Sequence, residues 1–101
     1  MKYGLTDAEW TLLQKLVIEP LQHIGCRVWI FGSRARGNHQ AFSDIDLLFE
    51  LPSGKNLPPG FLSDIHESIE ESRLSYKVDL VKLSDLAASY RPNVDREKIP
   101  L

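Results

Sequence analysis

Asp44 and Asp46 are separated by one residue, and they follow the pair Gly32-Ser33 after ten intervening positions. They lie in Ser43-Asp44-Ile45-Asp46-Leu47-Leu48-Phe49, an apolar run of strand character interrupted only by the two acids. Residues i and i+2 of a strand point to the same face, so the two carboxylates converge on one point. Like charges held that close repel, or one takes up a proton, unless a cation sits between them. Gly32-Ser33 closes a second apolar run, Trp29-Ile30-Phe31. Glycine lets a phosphate come close to the backbone, and a hydroxyl with successive N–H groups can form an anion-binding nest. Arg34 and Arg36 follow at once and could add a guanidinium fork to a phosphate oxygen. The pattern reads as a divalent-metal site beside a phosphate-holding turn.

A third acid stands in Val78-Asp79-Leu80-Val81. A charge inside an apolar strand is disfavoured without a partner. If this strand neighbours the Asp44–Asp46 strand in register, Asp79 joins the same face. Three carboxylates on a rigid sheet suit two magnesium ions, which prefer carboxylate, phosphate and water oxygens. Two such ions stabilise the attacking and leaving oxygens of an in-line phosphoryl displacement. The plainer alternative for Asp79 is a structural ion pair with Arg27 or Lys77.

The elements that must position these residues follow from periodicity. Thr6-Asp7-Ala8-Glu9 has the form of a capping box. Trp10, Leu13, Val17, Leu21 and Ile24 then recur at helical steps, with Gly25 as a stop and Pro20 as a site of kinking or division. Arg27 to Phe31 reads as a strand, Gly32 to Phe42 as turn and loop, and Asp44 to Leu51 as a second strand. The segment 52–59 is a connecting loop. Gly60 to Ser72 predicts a helix with Phe61, Leu62, Ile65 and Ile69 inward and Glu67, Glu70 and Glu71 in solvent. Tyr76 to Lys82 alternates as a third strand, and Ser84 caps a short helix through Ala88. Tyr90 to Leu101 is polar and broken by prolines, and predicts a loosely held tail. The expected fold is α/β in the α+β sense: a small mixed sheet with helices packed on one face. It forms a single domain over 1–101, with its core at about 6–88 and a tail at 89–101.

A length of 101 residues accommodates one core and no second domain. The net charge of −2 argues against extended nucleic-acid binding, which needs a strongly basic surface. A single cysteine, Cys26, excludes an internal disulfide and a cysteine-rich zinc site, and reads as a small buried hydrophobe. No apolar run reaches the length of a membrane span and no signal-peptide pattern opens the chain, so a cytoplasmic location is expected. His39 reads as exposed polar surface, and Trp10 and Trp29 as packing residues.

The combined pattern resembles the polymerase-β-type nucleotidyltransferase superfamily over roughly residues 10 to 85. The wording Gly-Ser-Arg-Ala-Arg-Gly and Ser-Asp-Ile-Asp-Leu is most similar to the minimal nucleotidyltransferases of prokaryotes. The resemblance implies a palm-like fold, with Asp44, Asp46 and Asp79 as the catalytic ligands of two Mg2+ ions. Asp79 would also serve as, or orient, the base. Gly32 and Ser33 would hold the β- and γ-phosphates of ATP or another nucleoside triphosphate. A hydroxyl would attack the α-phosphorus and pyrophosphate would leave. The resemblance further implies a helical protein partner, either a HEPN-type toxin or a substrate-binding subunit, with AMP transfer to that partner as the antitoxin activity. Two alternatives stand beside this. One is a non-catalytic antitoxin that occludes its partner. The other is transfer to a small molecule such as an aminoglycoside, with the acceptor site built in trans or by homo-oligomerisation. Minimal members commonly end in a further helix and an apolar strand, which the polar C-terminus here does not predict.

Overall fold

The first helix starts where the sequence places it. Thr6 Oγ1 accepts the Glu9 N–H at 3.1 Å and Glu9 Oε1 accepts the Thr6 N–H at 2.8 Å, which closes the capping box. In this computed structural model, which describes residues 1–101, α1 (Asp7–Leu13) runs through a π-helical turn (Gln14–Ile18) into α2 (Glu19–His23). The wide turn accounts for how Pro20 is tolerated. Proline has no N–H and its ring crowds the carbonyl four residues back. Here the Glu19 N–H bonds Gln14 O, five residues back, and the helix continues through the proline. Gly25, at φ +93°, ends it.

Four strands form the sheet: β1 (Arg27–Phe31), β2 (Ile45–Glu50), β3 (Val78–Lys82) and β4 (Ile99–Pro100), in the order β3-β2-β1-β4. β1 is antiparallel to β2 and to β4, whereas β2 and β3 are parallel. The parallel pair requires a crossover, and α4 (Phe61–Glu70) supplies it. α3 (Ser33–Arg36) is a single turn between β1 and the loop that leads to β2.

One face of the sheet carries Val28, Ile30, Ile45, Leu47, Phe49 and Val78. These pack on Leu13, Val17, Ile18 and Leu21 of the N-terminal helix and on Ile65 and Ile69 of α4. This is the expected sheet with helices on one face. The opposite face carries a smaller cluster of Trp29, Leu48, Leu83 and Val94. Val28-Trp29-Ile30 and Leu47-Leu48-Phe49 are continuous apolar runs, and such runs belong to strands covered on both sides.

The C-terminal expectation is corrected by the structure. Residues from Tyr90 onward are no loose tail: α5 (Arg91–Glu97) lies over the second face and β4 pairs with β1, placing Trp29 opposite Pro100 and Ile30 opposite Ile99. Leu101 N–H adds a bond to Val28 O at 3.0 Å. Val94 is the one buried side chain of α5, which is why no apolar periodicity marked it. Pro100 is tolerated because β4 is an edge strand. The helix expected from Ser84 to Ala88 is only a 3₁₀ turn, Leu83–Asp85.

Candidate active site

The register of the sheet assembles the acids. β2 and β3 pair so that Asp46 faces Asp79, and β1 and β2 pair so that Phe31 faces Asp46. Asp44 lies just ahead of β2, one residue before its first member. The Asp46 carboxyl is pushed up to about 6, first by burial, then by the Asp79 and Asp44 charges and a hydrogen bond with Asp79; Arg36 pulls the other way. Asp79 also lies 3.5 Å from Lys77, so the ion pair and the facing acid coexist. The three carboxylates do not by themselves close into a ready ligand group. The repulsion and burial on Asp46 are what a divalent cation would relieve, and carboxylate oxygens suit magnesium.

Gly32 makes room for Asp46. Its φ is +76°, and a Cβ there would collide with the Asp46 carboxylate. Any other residue at this turn would displace the acid or distort the backbone. Ser33 then opens α3, where the Arg36 N–H bonds Gly32 O and the Gly37 N–H bonds Ser33 O. The turn and the acids are therefore direct neighbours, as the sequence spacing predicts.

The two arginines separate. Arg36 is half exposed beside the turn, with Nη1 on Glu97 Oε2 at 2.8 Å. Arg34, expected on a phosphate, points into the molecule and is only 2 % exposed. Its Nε and Nη2 donate to Ser43 O at 3.0 and 2.9 Å, and its Nη1 donates to Tyr3 O at 2.8 Å. The guanidinium lies over the Tyr76 ring. This buried cation is satisfied by two backbone carbonyls and an aromatic face, and at 2 % exposure it is turned away from the surface where a ligand at the turn would lie. It grips the carbonyl of the residue that precedes Asp44, and so holds the loop that delivers that acid. His39 differs from expectation too: it is half-buried against Gly4, and its Nδ1 is enclosed without a partner.

Glu97 is a site residue that the sequence did not reveal. Its Oε1 accepts the Gly32 N–H at 3.1 Å and its Oε2 takes Arg36. A cavity of about 680 Å³ opens beside the turn, lined by Phe31, Gly32, Arg36, Tyr90, Val94 and Glu97 among others. Its far wall is the C-terminal segment, whose position depends on the pairing of β4 with β1.

The family described as "Nucleotidyltransferase domain" matches residues 14–101, and the chain belongs to it. Within that family it is a minimal nucleotidyltransferase. A solved structure described as a candidate minimal nucleotidyltransferase is 34% identical, with a TM-score of 0.62 over 92% of this chain and 95% of that one. Two others share the fold. A toxin–antitoxin structure with AMP-PNP is 20% identical, with a TM-score of 0.64 over 86% of this chain and 70% of that one. A Tyr-to-Ala mutant of the toxin–antitoxin MntA-HpeT is 23% identical, with a TM-score of 0.60 over 96% of this chain and 72% of that one. No curated protein matches the sequence significantly. No helix of the chain is long and apolar enough to cross a membrane.

Proposed function

We propose that this nucleotidyltransferase moves AMP from ATP to a hydroxyl on a partner protein, as the antitoxin of a toxin–antitoxin pair. The observation that carries the reading is the facing of Asp46 and Asp79 beside a turn where glycine alone leaves the carboxylate room. The toxin–antitoxin structures of the same fold, one of them holding AMP-PNP, support the donor and the setting.

Each residue has a task in this reading. Asp44, Asp46 and Asp79 would hold magnesium, two ions in the full site, and the metal would supply Lewis-acid charge neutralisation for the phosphoryl displacement. Gly32, Ser33 and Arg36 receive the β- and γ-phosphates. The acceptor oxygen bonds the α-phosphorus, the bond to the β-phosphate oxygen breaks, and pyrophosphate departs. Asp79, whose side chain is 38% exposed, takes the hydroxyl proton or orients the hydroxyl. The sheet's contribution is position and electrostatics, with no covalent intermediate on the protein.

Incubation with α-labelled ATP, magnesium and the helical partner expected for this family tests the reading. Wild type should label the partner, and Asp44→Asn should lower labelling by roughly three orders of magnitude, as loss of a charge-stabilising group does. Equal labelling by both proteins would remove the acids from the mechanism. Full neutralisation of the partner by Asp44→Asn, without labelling, would assign the antitoxin effect to occlusion.

A further inference from the structure

Glu97 falls in Asp95-Arg96-Glu97-Lys98, at the end of a helix whose other charged side chains find their polar partners nearby in sequence. Asp95 takes Arg91 and Lys98, both within its own segment of chain. Glu97 differs from them. Its side chain is only 17% exposed, and it reaches across 65 positions of sequence to the Gly32 N–H. The other oxygen holds one nitrogen of Arg36, whose side chain remains 45% exposed. Arg36 is also close enough to Asp46 to act on its carboxyl.

A lone guanidinium beside three clustered acids is drawn onto them, where it would occupy the oxygens a metal needs. A second anion on the far side of the guanidinium counters that pull. Glu97 is that anion, and it uses only one Arg36 nitrogen, leaving the rest of the fork for a ligand. Its other oxygen satisfies the Gly32 amide, which fixes the turn at the point where Gly32 abuts Asp46.

We propose that Glu97 is a positioning residue for the nucleotide: it pins the Gly-Ser turn and holds Arg36 off the aspartates, at the mouth of the adjoining cavity, in the pose that meets a polyphosphate. The inference rests on the assignment of Gly32, Ser33 and Arg36 to the triphosphate made above. The C-terminal segment is thereby a functional wall of the site, joined to it by one carboxylate.

Two measurements test this: calorimetric binding of a non-hydrolysable ATP analogue with magnesium, and hydrogen exchange at the Gly32 amide without nucleotide. Glu97→Ala should weaken binding about tenfold, the scale of one charge-assisted hydrogen bond. It should raise KM for ATP more than it lowers kcat, and should speed Gly32 exchange. Glu97→Gln keeps an oxygen for Gly32 but no charge for Arg36. It should retain slow exchange, bind with intermediate affinity, and keep α5 folded if the alanine variant does not. Arg36→Ala should weaken binding about as much as Glu97→Ala, and adding Glu97→Ala to it should cost little more. Glu67→Gln, on the exposed face of α4, is the control with unchanged binding. A folded Glu97→Ala protein that binds the analogue as tightly as wild type, or more tightly, would overturn the proposal. The carboxylate would then be a bystander or a rival of the phosphate. Wild type that binds no nucleotide with magnesium would overturn the triphosphate assignment and this inference with it, and that failure appears before any substitution is made.

Discussion

The face of the sheet that carries Val28, Ile30, Ile45, Leu47 and Phe49 lies under two long helical elements, and those side chains are almost wholly buried. The opposite face carries Trp29, Leu48 and Asp46, and its cover is a 3₁₀ turn and one short helix that contribute Leu83 and Val94. The same strand supplies both: Leu47 points to the first face, Asp46 and Leu48 to the second. Alternation lets five residues of β2 serve stability and chemistry without sharing a side chain. The first face is packed with apolar atoms and tolerates no charge. The second gathers three acids that repel one another, next to the Gly32 turn that lines a cavity. Stability is placed on one side of the sheet so that the other side can hold an arrangement that costs stability.

The sharpest way to break this division is to cut each face separately. Leu47→Ala should cost about 3 kcal/mol in a denaturant titration, since a fully buried leucine is lost with little room for collapse. Nucleotide transfer per folded molecule should stay near wild type. Val94→Ala should cost less, about 1 kcal/mol for two methyl groups at a smaller cluster, yet it should raise KM for ATP by loosening α5 and hence Glu97. Equal effects on KM from the two variants would erase the distinction between the faces.

A smaller effect is expected at the hinge between them. Arg34→Lys cannot keep two prongs on the Ser43 carbonyl. A loss of about 2 kcal/mol is expected, the scale for a buried polar group left partly unpaired. Transfer should fall as well, because the Asp44 loop is no longer gripped. Undiminished transfer in the folded variant would detach Arg34 from the site.

The smallest effect sharpens the claim that the acids are stored at a cost. The Asp46 carboxyl is raised from its ordinary 3.8 to about 6. The native state therefore holds a proton that the unfolded chain releases. The resulting stability is fully present below about pH 4 and is lost as pH rises through about 6. At a half-exposed site, screening reduces this to about 1 kcal/mol. Metal-free wild type should melt a few degrees higher at pH 5 than at pH 7.5, and Asp46→Asn should remove most of that difference while abolishing transfer. Magnesium should raise the wild-type midpoint more at pH 7.5 than at pH 5, because protonation and the cation relieve the same repulsion.

Much of this was legible from local pattern. The capping box, the inward stripe of the first helix and the alternation of β3 each depend on a few consecutive residues. The runs Val28-Trp29-Ile30 and Leu47-Leu48-Phe49 have no polar side and so carried a signal for the second cover, which the expected sheet with helices on one face did not include. The C-terminal segment was not legible, because α5 buries a single residue and β4 is two residues long. Neither has a period to read, and both exist because β1 offers an edge to pair with. Arg34 and Arg36 look equivalent beside Gly32-Ser33, yet one turn of helix sends them to opposite environments.

The sequence by itself determined that Asp46 lies on a strand with Asp44 two residues ahead of it, near enough for their charges to act on each other, and that a glycine-serine turn stands next to them. Those facts follow from a two-residue repeat and from the one residue without a side chain, and they need no knowledge of the rest of the chain. The tertiary structure decided that Asp79 faces Asp46, that Arg34 is a buried clamp and Arg36 a half-exposed cation held by Glu97, and that Glu97 also bonds the Gly32 amide of the turn. Each of those depends on strand register or on contacts between distant segments, and no local spacing encodes which of many carboxylates will meet a given amide.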